Sequence, residues 1–302
     1  MIPVDYVIPY VDGADQEWQR LYRKYATNDT LCIQRYRNYD TLKYQLRGIE
    51  RNLPWVHNVY VIVQSESQIP TWLCTDNSKL RLVYHHDYIP ESELPAFKSG
   101  TIELNIHRIS GLTENFILAN DDMIPVKPQQ LSNYFIDGRP VQTCIENIHH
   151  LQPQDDNIHE FMLYRMMRIE QMYLHNPSFR GLVHHHLLCP YSKSFWDNAA
   201  RKYKYTLAAS RHEQFYRGML NMSHWLISDL QVLTGLSIIN NNLNTTGIID
   251  IEDNTKPTEI YDIIDKANVI CLNDHVNENT AVLNEIPYIL DTVFPEKSTF
   301  EE

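Results

Sequence analysis

The run Phe116-Ile117-Leu118-Ala119-Asn120-Asp121-Asp122-Met123 constrains this chain more than any other stretch. It is apolar at first and lacks helical periodicity, so it is expected to be a strand buried on both faces. It stops at two adjacent carboxylates, which are costly to desolvate unless a cation or strong donors compensate them. Ligands of open α/β sheets gather at the carboxyl ends of the strands. Paired oxygens there suit a hard divalent cation, and such a cation suits a diphosphate. The competing reading is an ordinary capped turn, since Asn and Asp commonly close strands.

The surrounding pattern alternates strands and helices. Val4–Val11 reads as a first strand, and Asp12-Gly13 as a turn into a helix from Gln16, capped by Asp15. An acidic turn after a first strand is a common ligand position, although a plain βα turn has the same local sequence. A helix near Tyr39–Asn52 carries Leu42, Leu46, Ile49 and Leu53 on its apolar stripe, with Lys43, Arg47 and Arg51 on another face. That basic face is either solvated or, at Arg47, turned toward a phosphate. Strands follow at Asn58–Gln64 and Leu80–His85, a helix at Gly100–Ile109, then the central run. This order predicts a three-layer α/β fold with a largely parallel sheet.

Beyond Pro125 the pattern shifts to a short helix at Gln129–Phe135, a strand at Pro140–Glu146 and a polar loop at Gln152–Asn157, the best internal boundary. The following part is helix-rich. Ile158–Leu174 is a long helix whose methionines (Met162, Met166, Met167, Met172) read as adaptable core. Helices are expected near Ser194–Tyr203, Ser210–Leu220, Ser223–Leu233 and Asn279–Leu290. His184-His185-His186 lie inside an apolar segment; adjacent positions cannot easily converge on one ion, so one acid/base histidine is the economical functional reading. A strand at Asn268–Asp274 ends in Asn273-Asp274, repeating the Asn-Asp ending of the central run. Both are expected to empty into one polar site.

A net charge of −12 without a Lys/Arg block argues against nucleic acid as the main partner, because phosphate binding needs a basic footprint. Five scattered cysteines without CxxC spacing suggest a reduced cytosolic protein with neither a zinc site nor a disulfide framework. No secretory signal is visible at Met1-Ile2-Pro3-Val4-Asp5, and no apolar stretch approaches the ~20 residues that span a bilayer.

Taken in order, these pieces resemble the Stealth family of sugar-phosphate transferases, which includes bacterial capsule and exopolysaccharide phosphotransferases. Asp5–Trp18 resembles the first Stealth region. Arg35–Leu73 and Leu94–Met123 resemble the second, through Arg-Tyr-Arg-Asn, Leu-Lys-Tyr-Gln-Leu-Arg-Gly-Ile-Glu, Ile-Pro-Thr-Trp-Leu and Asn-Asp-Asp-Met. His186 through Gly235 is similar to the third, and Cys271–Glu301 to the fourth, with Cys-Leu-Asn-Asp and Phe-Pro-Glu-Lys-Ser-Thr-Phe-Glu. The first region departs from the usual Thr-Trp at Pro9-Tyr10, and Asn221 stands where an acidic residue is common. Spacing to Pro190 and Lys193 favours His186 over His184 and His185.

The resemblance implies transfer of a hexose-1-phosphate, expected to be an N-acetylhexosamine-1-phosphate, from a UDP-sugar to a sugar hydroxyl of a growing surface polysaccharide, with UMP leaving. It implies an α/β donor-binding core over residues 1–150, with the helical additions of residues 151–302 completing the same catalytic domain. Asp121, Asp122 and Asp274 would position a divalent metal (Mg or Mn) and the diphosphate, with Asn120 and Asn273 in support. Arg217, and with it Arg47, would hold phosphate oxygens; His186 would take the acceptor proton; Asp12 would lie by the nucleotide or donor sugar. The expected location is cytoplasmic, peripheral to the inner face of the membrane beside polysaccharide-assembly machinery. The rival readings are a metal-dependent glycosyltransferase releasing UDP, a noncatalytic carbohydrate- or nucleotide-binding protein, and a metal-dependent hydrolase.

Overall fold

β1 (Val4–Pro9), β2 (Val59–Val63), β3 (Leu80–Tyr84) and β4 (Asn115–Leu118) are short runs rich in β-branched and aromatic residues, a composition that suits strands covered on both sides. In the computed structural model, which describes residues 2–25, 33–146, 158–184, 188–215, 220–241, 246–252, 254–275 and 281–302, they form a parallel sheet. A fifth strand, β6 (Cys189–Ser192), joins β4 antiparallel and gives the order β6–β4–β1–β2–β3.

Alternating side chains of this sheet enter two separate cores. Tyr6, Ile8 and Ile117 pack with Leu42, Leu46 and Ile49 of α2 (Thr41–Asn52). Val7, Phe116 and Leu118 pack on the opposite face with Met162 and Met166 of α3 (Ile158–Leu174), Trp196 of α4 (Lys193–Lys202) and Leu226 of α6 (Trp225–Leu233). Helices cover both faces, as the strand–helix alternation predicts. Met172 departs from the methionine stripe and is 63% exposed.

The central run is not one strand. β4 stops at Leu118, the chain turns through Asn120-Asp121-Asp122, and β5 (Met123–Pro125) enters a different sheet. There β5 pairs antiparallel with β8 (Val269–Asp274), which runs parallel to β7 (Thr246–Ile251). Its core joins Ile124, Ile249, Ile270 and Leu272 to Ile260 and Ile264 of α7 (Pro257–Lys266) and Ile286 and Ile289 of α8 (Ala281–Val293). β7 and α7 had no counterpart in the sequence reading.

Three other expectations are corrected. The helix expected at Gly100–Ile109 shortens to Ser99–Glu103, because Asn105 turns its amide back to the Thr101 carbonyl (3.0 Å) and to Glu93 (2.8 Å). Around Ser210 the helix is α5 (Lys204–Arg211); it ends where Arg211 makes a buried pair with Glu93, and the amides of Phe97 and Lys98 capture the Gln214 carbonyl. Gln129–Phe135 holds only a single helical turn at Leu131–Asn133. The boundary loop Gln152–Asn157 lies outside the described residues. Among the described residues Cys74, Cys144, Cys189 and Cys271 are not in disulfides, and no helix is long and apolar enough to cross a membrane.

α2 ties the two sheets together. Gly48 lets it approach β5 so closely that a Cβ there would lie 2.5 Å from the Pro125 carbonyl oxygen. The residue before it, Arg47, is buried and bound by both oxygens of Glu301 (2.8 and 2.7 Å), by the Phe294 carbonyl (2.6 Å) and by Asp291 (3.3 Å). The phosphate role expected for Arg47 is therefore corrected: its donors anchor the segment after α8, since burial leaves a guanidinium stable only against such partners. Burial raises the Glu301 carboxyl, but Arg47 and Ser298 outweigh it and leave that carboxyl below its ordinary value.

Replacing Arg47 by Met strands the buried Glu301 carboxylate and is expected to cost about 3–5 kcal/mol of unfolding free energy in urea. Glu301→Gln on that background should recover part of the loss. Because the folded Glu301 value is depressed, the pair's contribution is present above the ordinary carboxylate range and disappears as pH falls through the folded value. Equal stability of wild type and Arg47→Met at neutral pH would remove the anchor role.

Candidate active site

Three chain segments converge at the carboxyl ends of β1, β4 and β8. After β1, Asp12 accepts from the Ala14 amide (2.9 Å) and its own amide donates to Gln68 (2.7 Å), which shapes a tight turn. Asp15 then caps α1 (Gln16–Tyr25), accepting from the Glu17 and Trp18 amides and from Ser67 and Gln68. Gly13 donates its amide to the Tyr36 carbonyl at 2.9 Å, and a Cβ at Gly13 would fall 2.4 Å from Tyr36. The turn is thus pressed against the second segment, Arg35–Asp40.

That second segment is built for hydrogen bonding. Asn38 accepts from the Asp40 amide (2.8 Å) and donates to the Tyr10 hydroxyl (3.0 Å); Asp40 adopts φ +59°, a conformation that Asp tolerates. Arg37 donates to Asp274 at 2.6 Å, and the Tyr39 hydroxyl donates to the same carboxylate. Asp274, expected as a third metal ligand, is thereby committed to Arg37 and Tyr39, with its side chain 5% exposed.

The third segment is the acidic turn. Gln45 of α2 donates to the Asn120 carbonyl (2.9 Å), and the Leu272 amide of β8 donates to the Asp122 carbonyl (3.1 Å). The Val11 amide donates to the Asp121 carboxylate, and the Cys271 thiol bonds Asp122. Burial, and then the neighbouring Asp122, push the Asp121 carboxyl up to about 7 against the lowering effect of the Val11 amide. Burial raises the Tyr10 hydroxyl far beyond its usual range, and Asp12, Asp121 and Asp40 add to that. Tyr10 thus sits in the field of three carboxylates from three segments.

β5 and β8 run antiparallel with Met123 opposite Cys271, so the end of β8 lies alongside the Asn120–Asp122 turn. The two Asn-Asp endings are brought together. Asn273, however, spends its amide on Asp250 (2.7 Å) and His275 (2.8 Å) at an exposed edge. Tyr10, Arg37, Asn38, Tyr39 and Gln45 were assigned no role from sequence; Arg35-Tyr36-Arg37-Asn38, a dense polar-aromatic run before α2, was the one signal for two of them.

His185, His186 and Arg217 lie outside the described residues, and so does the His184 side chain. Their flanks are described. Cys189 of β6 pairs with Leu118, at the carboxyl end of β4, so the chain enters β6 beside the acidic turn. Phe215 packs on Phe97 and Tyr25, with ring centroids 6.2 and 5.7 Å apart, in the aromatic cluster that also holds Trp18 and Tyr36.

Among the described residues no group of three or more His, Cys, Asp or Glu side chains gathers as a metal cage. Two adjacent carboxylates, of which Asp122 raises the proton affinity of Asp121, nevertheless form a donor set that a divalent cation would relieve. Magnesium needs only one or two carboxylates when substrate phosphates and water complete its shell.

Residues 35–142, which run from the Arg37 segment through the acidic turn, match Stealth protein CR2, conserved region 2. The chain is 42% identical over 143 residues to the capsular polysaccharide phosphotransferase CpsJ of Streptococcus thermophilus; that alignment takes in 45% of this chain and 59% of the relative. The receptor polysaccharide phosphotransferase WefC of Streptococcus oralis is 29% identical across 100% of both chains. The exopolysaccharide phosphotransferase cps2G of Lactiplantibacillus plantarum is 28% identical over 99% of this chain and 96% of its own. With its CR2-like segment building two of the three walls of the acidic site, the chain resembles the Stealth family over residues 35–142.

Proposed function

We propose that this protein transfers a hexose-1-phosphate from a UDP-sugar to a sugar hydroxyl of a surface polysaccharide. The acceptor oxygen attacks the phosphorus that bears the hexose. A phosphodiester forms, the bond to the bridging oxygen breaks, and UMP leaves. The observation that carries this reading is the acidic turn, whose Asp121 carboxyl stands near 7 beside Asp122 at the convergence of three strand ends. The relatives named polysaccharide phosphotransferases support it.

Phosphoryl transfer needs positioning and charge neutralisation more than covalent help. Asp121 and Asp122 would hold a magnesium or manganese ion, which would neutralise the donor diphosphate. Asn120 presents the turn to them. Asp274 acts through Arg37, whose guanidinium it orients at the rim of the site. Asp12 lines the donor side, next to Tyr10 and Asp40. Arg217, two residues beyond the anchored Phe215, would hold a phosphate oxygen bidentately. His186, three residues before the strand that meets β4, would take the acceptor's hydroxyl proton.

Incubation with UDP-N-acetylglucosamine, magnesium and oligosaccharide acceptors is expected to release UMP and to give a phosphodiester resonance in phosphorus NMR. Release of UDP with a phosphorus-free product would make the protein a glycosyltransferase, and equal donor consumption without acceptor would make it a hydrolase. His186→Ala should lower turnover by roughly 10²–10⁴. Arg217→Ala should lower it by on the order of 10²–10³, the scale of one lost charge-stabilising donor.

Magnesium should also raise the melting temperature, because a ligand that binds only the folded state stabilises it. Asp121→Asn should abolish this shift. Below about pH 7 Asp121 retains its proton and competes with the metal, so the shift should be smaller at about pH 6 than at about pH 8. A magnesium effect untouched by Asp121→Asn would move the metal elsewhere.

A further inference from the structure

Charge is distributed unevenly along this acidic chain. Residues 161–212 carry eight Lys/Arg and two Asp/Glu, a net +6 within a total of −12. Some of these cations are spent inside the fold. Arg211 pairs with Glu93, and Lys193 donates to the Ile109 and Leu112 carbonyls. Others are not. Arg201, Lys202 and Lys204 are exposed at the corner where α4 passes into α5, and Arg168 is exposed on α3.

Lys202 joins these elements into one surface: its ammonium stands 5.0 Å from the Tyr173 ring centroid on α3 and 5.3 Å from that of Tyr203. Lys204 lies 4.8 Å from the Tyr205 ring. Asp197 is the carboxylate of this corner, and it is paired with Arg201. Two large side chains are exposed on the elements that Lys202 joins, Tyr205 of α5 at 80% and Met172 of α3, next to Tyr173, at 63%. Beside Met172 lies an open cavity of about 420 Å³, lined also by Arg168, Gln171, His175 and Pro177.

Single exposed apolar residues need no explanation, and scattered lysines need none either. Their combination on one corner of a chain that is otherwise strongly acidic does. We propose that the corner Arg201–Tyr205, with Arg168 and Met172 of α3, docks the protein on an anionic phospholipid surface. Lysine and arginine near such a surface are attracted to its headgroups. Tyrosine suits the headgroup level, and an unbranched methionine can enter the acyl boundary. A soluble polyanion would engage the cations and gain nothing from Met172 or Tyr205, which favours the membrane. Orientation follows: the acidic remainder of the chain is repelled from the same surface, so this face is selected.

The test is sedimentation of the full chain with phosphatidylcholine vesicles, with and without about one-third phosphatidylglycerol. Binding is expected only to the anionic vesicles at about 0.05 M salt, with release at about 0.5 M. Lys202→Ala/Lys204→Ala should weaken partition by roughly tenfold or more, since each basic residue near the surface contributes about fivefold. Met172→Ser/Tyr205→Ser should weaken it while leaving the salt dependence in place. Lys256→Ala/Lys266→Ala, on α7 and its cap, should change nothing. Matched melting curves establish that each variant folds, and wild-type salt release with the Met172/Tyr205 pair decides the matter should the lysine pair fail to fold. Absence of binding, binding equal on neutral vesicles, or binding indifferent to the lysine pair would overturn the proposal. Capture by dextran sulfate but not by vesicles would overturn it in favour of a soluble polyanion.

Discussion

Two negative charges can be held side by side only if the backbone beneath them is unable to move apart. At the Asn120–Asp122 turn that restraint comes from three hydrogen bonds of separate origin: Gln45 on the Asn120 carbonyl, Val11 on the Asp121 carboxylate and Leu272 on the Asp122 carbonyl. A neutral hydrogen bond contributes only about 0.5–1.5 kcal/mol net, so none of them would suffice alone. Together they join α2, the end of β1 and β8 at one point. The close approach at Gly48 and the buried Arg47 anchor then fix α2 against β5 and the segment after α8. The acidic turn is the place where two sheets and three hydrophobic cores meet.

Much of this was legible in the residues. Short apolar runs of β-branched residues can be buried strands and little else, so the parallel sheet and its two helical faces follow from periodicity. The Asn-Asp endings were legible as turns at strand ends, although an ordinary capped turn has the same local sequence. What periodicity does not encode is which sheet a strand joins. Phe116–Met123 reads as one run because its apolar ends look continuous, yet the turn at Asn120–Asp122 sends those ends into different sheets. Arg47 illustrates a second limit. A cation spaced with Lys43 and Arg51 on a helix looks solvated until the chain brings Glu301 back across 254 positions to meet it.

Asp274 shows how a residue placed by sequence can have partners that sequence does not reveal. Its strand was placed correctly, and the turn it was expected to join is indeed its neighbour. Its carboxylate, however, is bound by Arg37 and Tyr39, side chains more than 230 positions earlier. Sequence spacing reports neighbours along a strand or helix, and the partners that decide a side chain's chemistry come from elsewhere.

The pairing of Met123 with Cys271 has a consequence for biosynthesis. During synthesis the acidic turn emerges long before β8, and contacts of such sequence separation form late because loop closure must precede them. Until β8 arrives, Asp122 lacks its backbone partner from Leu272, and Asp274 is not yet present to orient Arg37. The parallel sheet can form on the ribosome with its helices, but its acidic end stays open to water. The acidic site is therefore completed only in the last stage of folding, so an incomplete chain presents its two carboxylates to water without the strand that braces them.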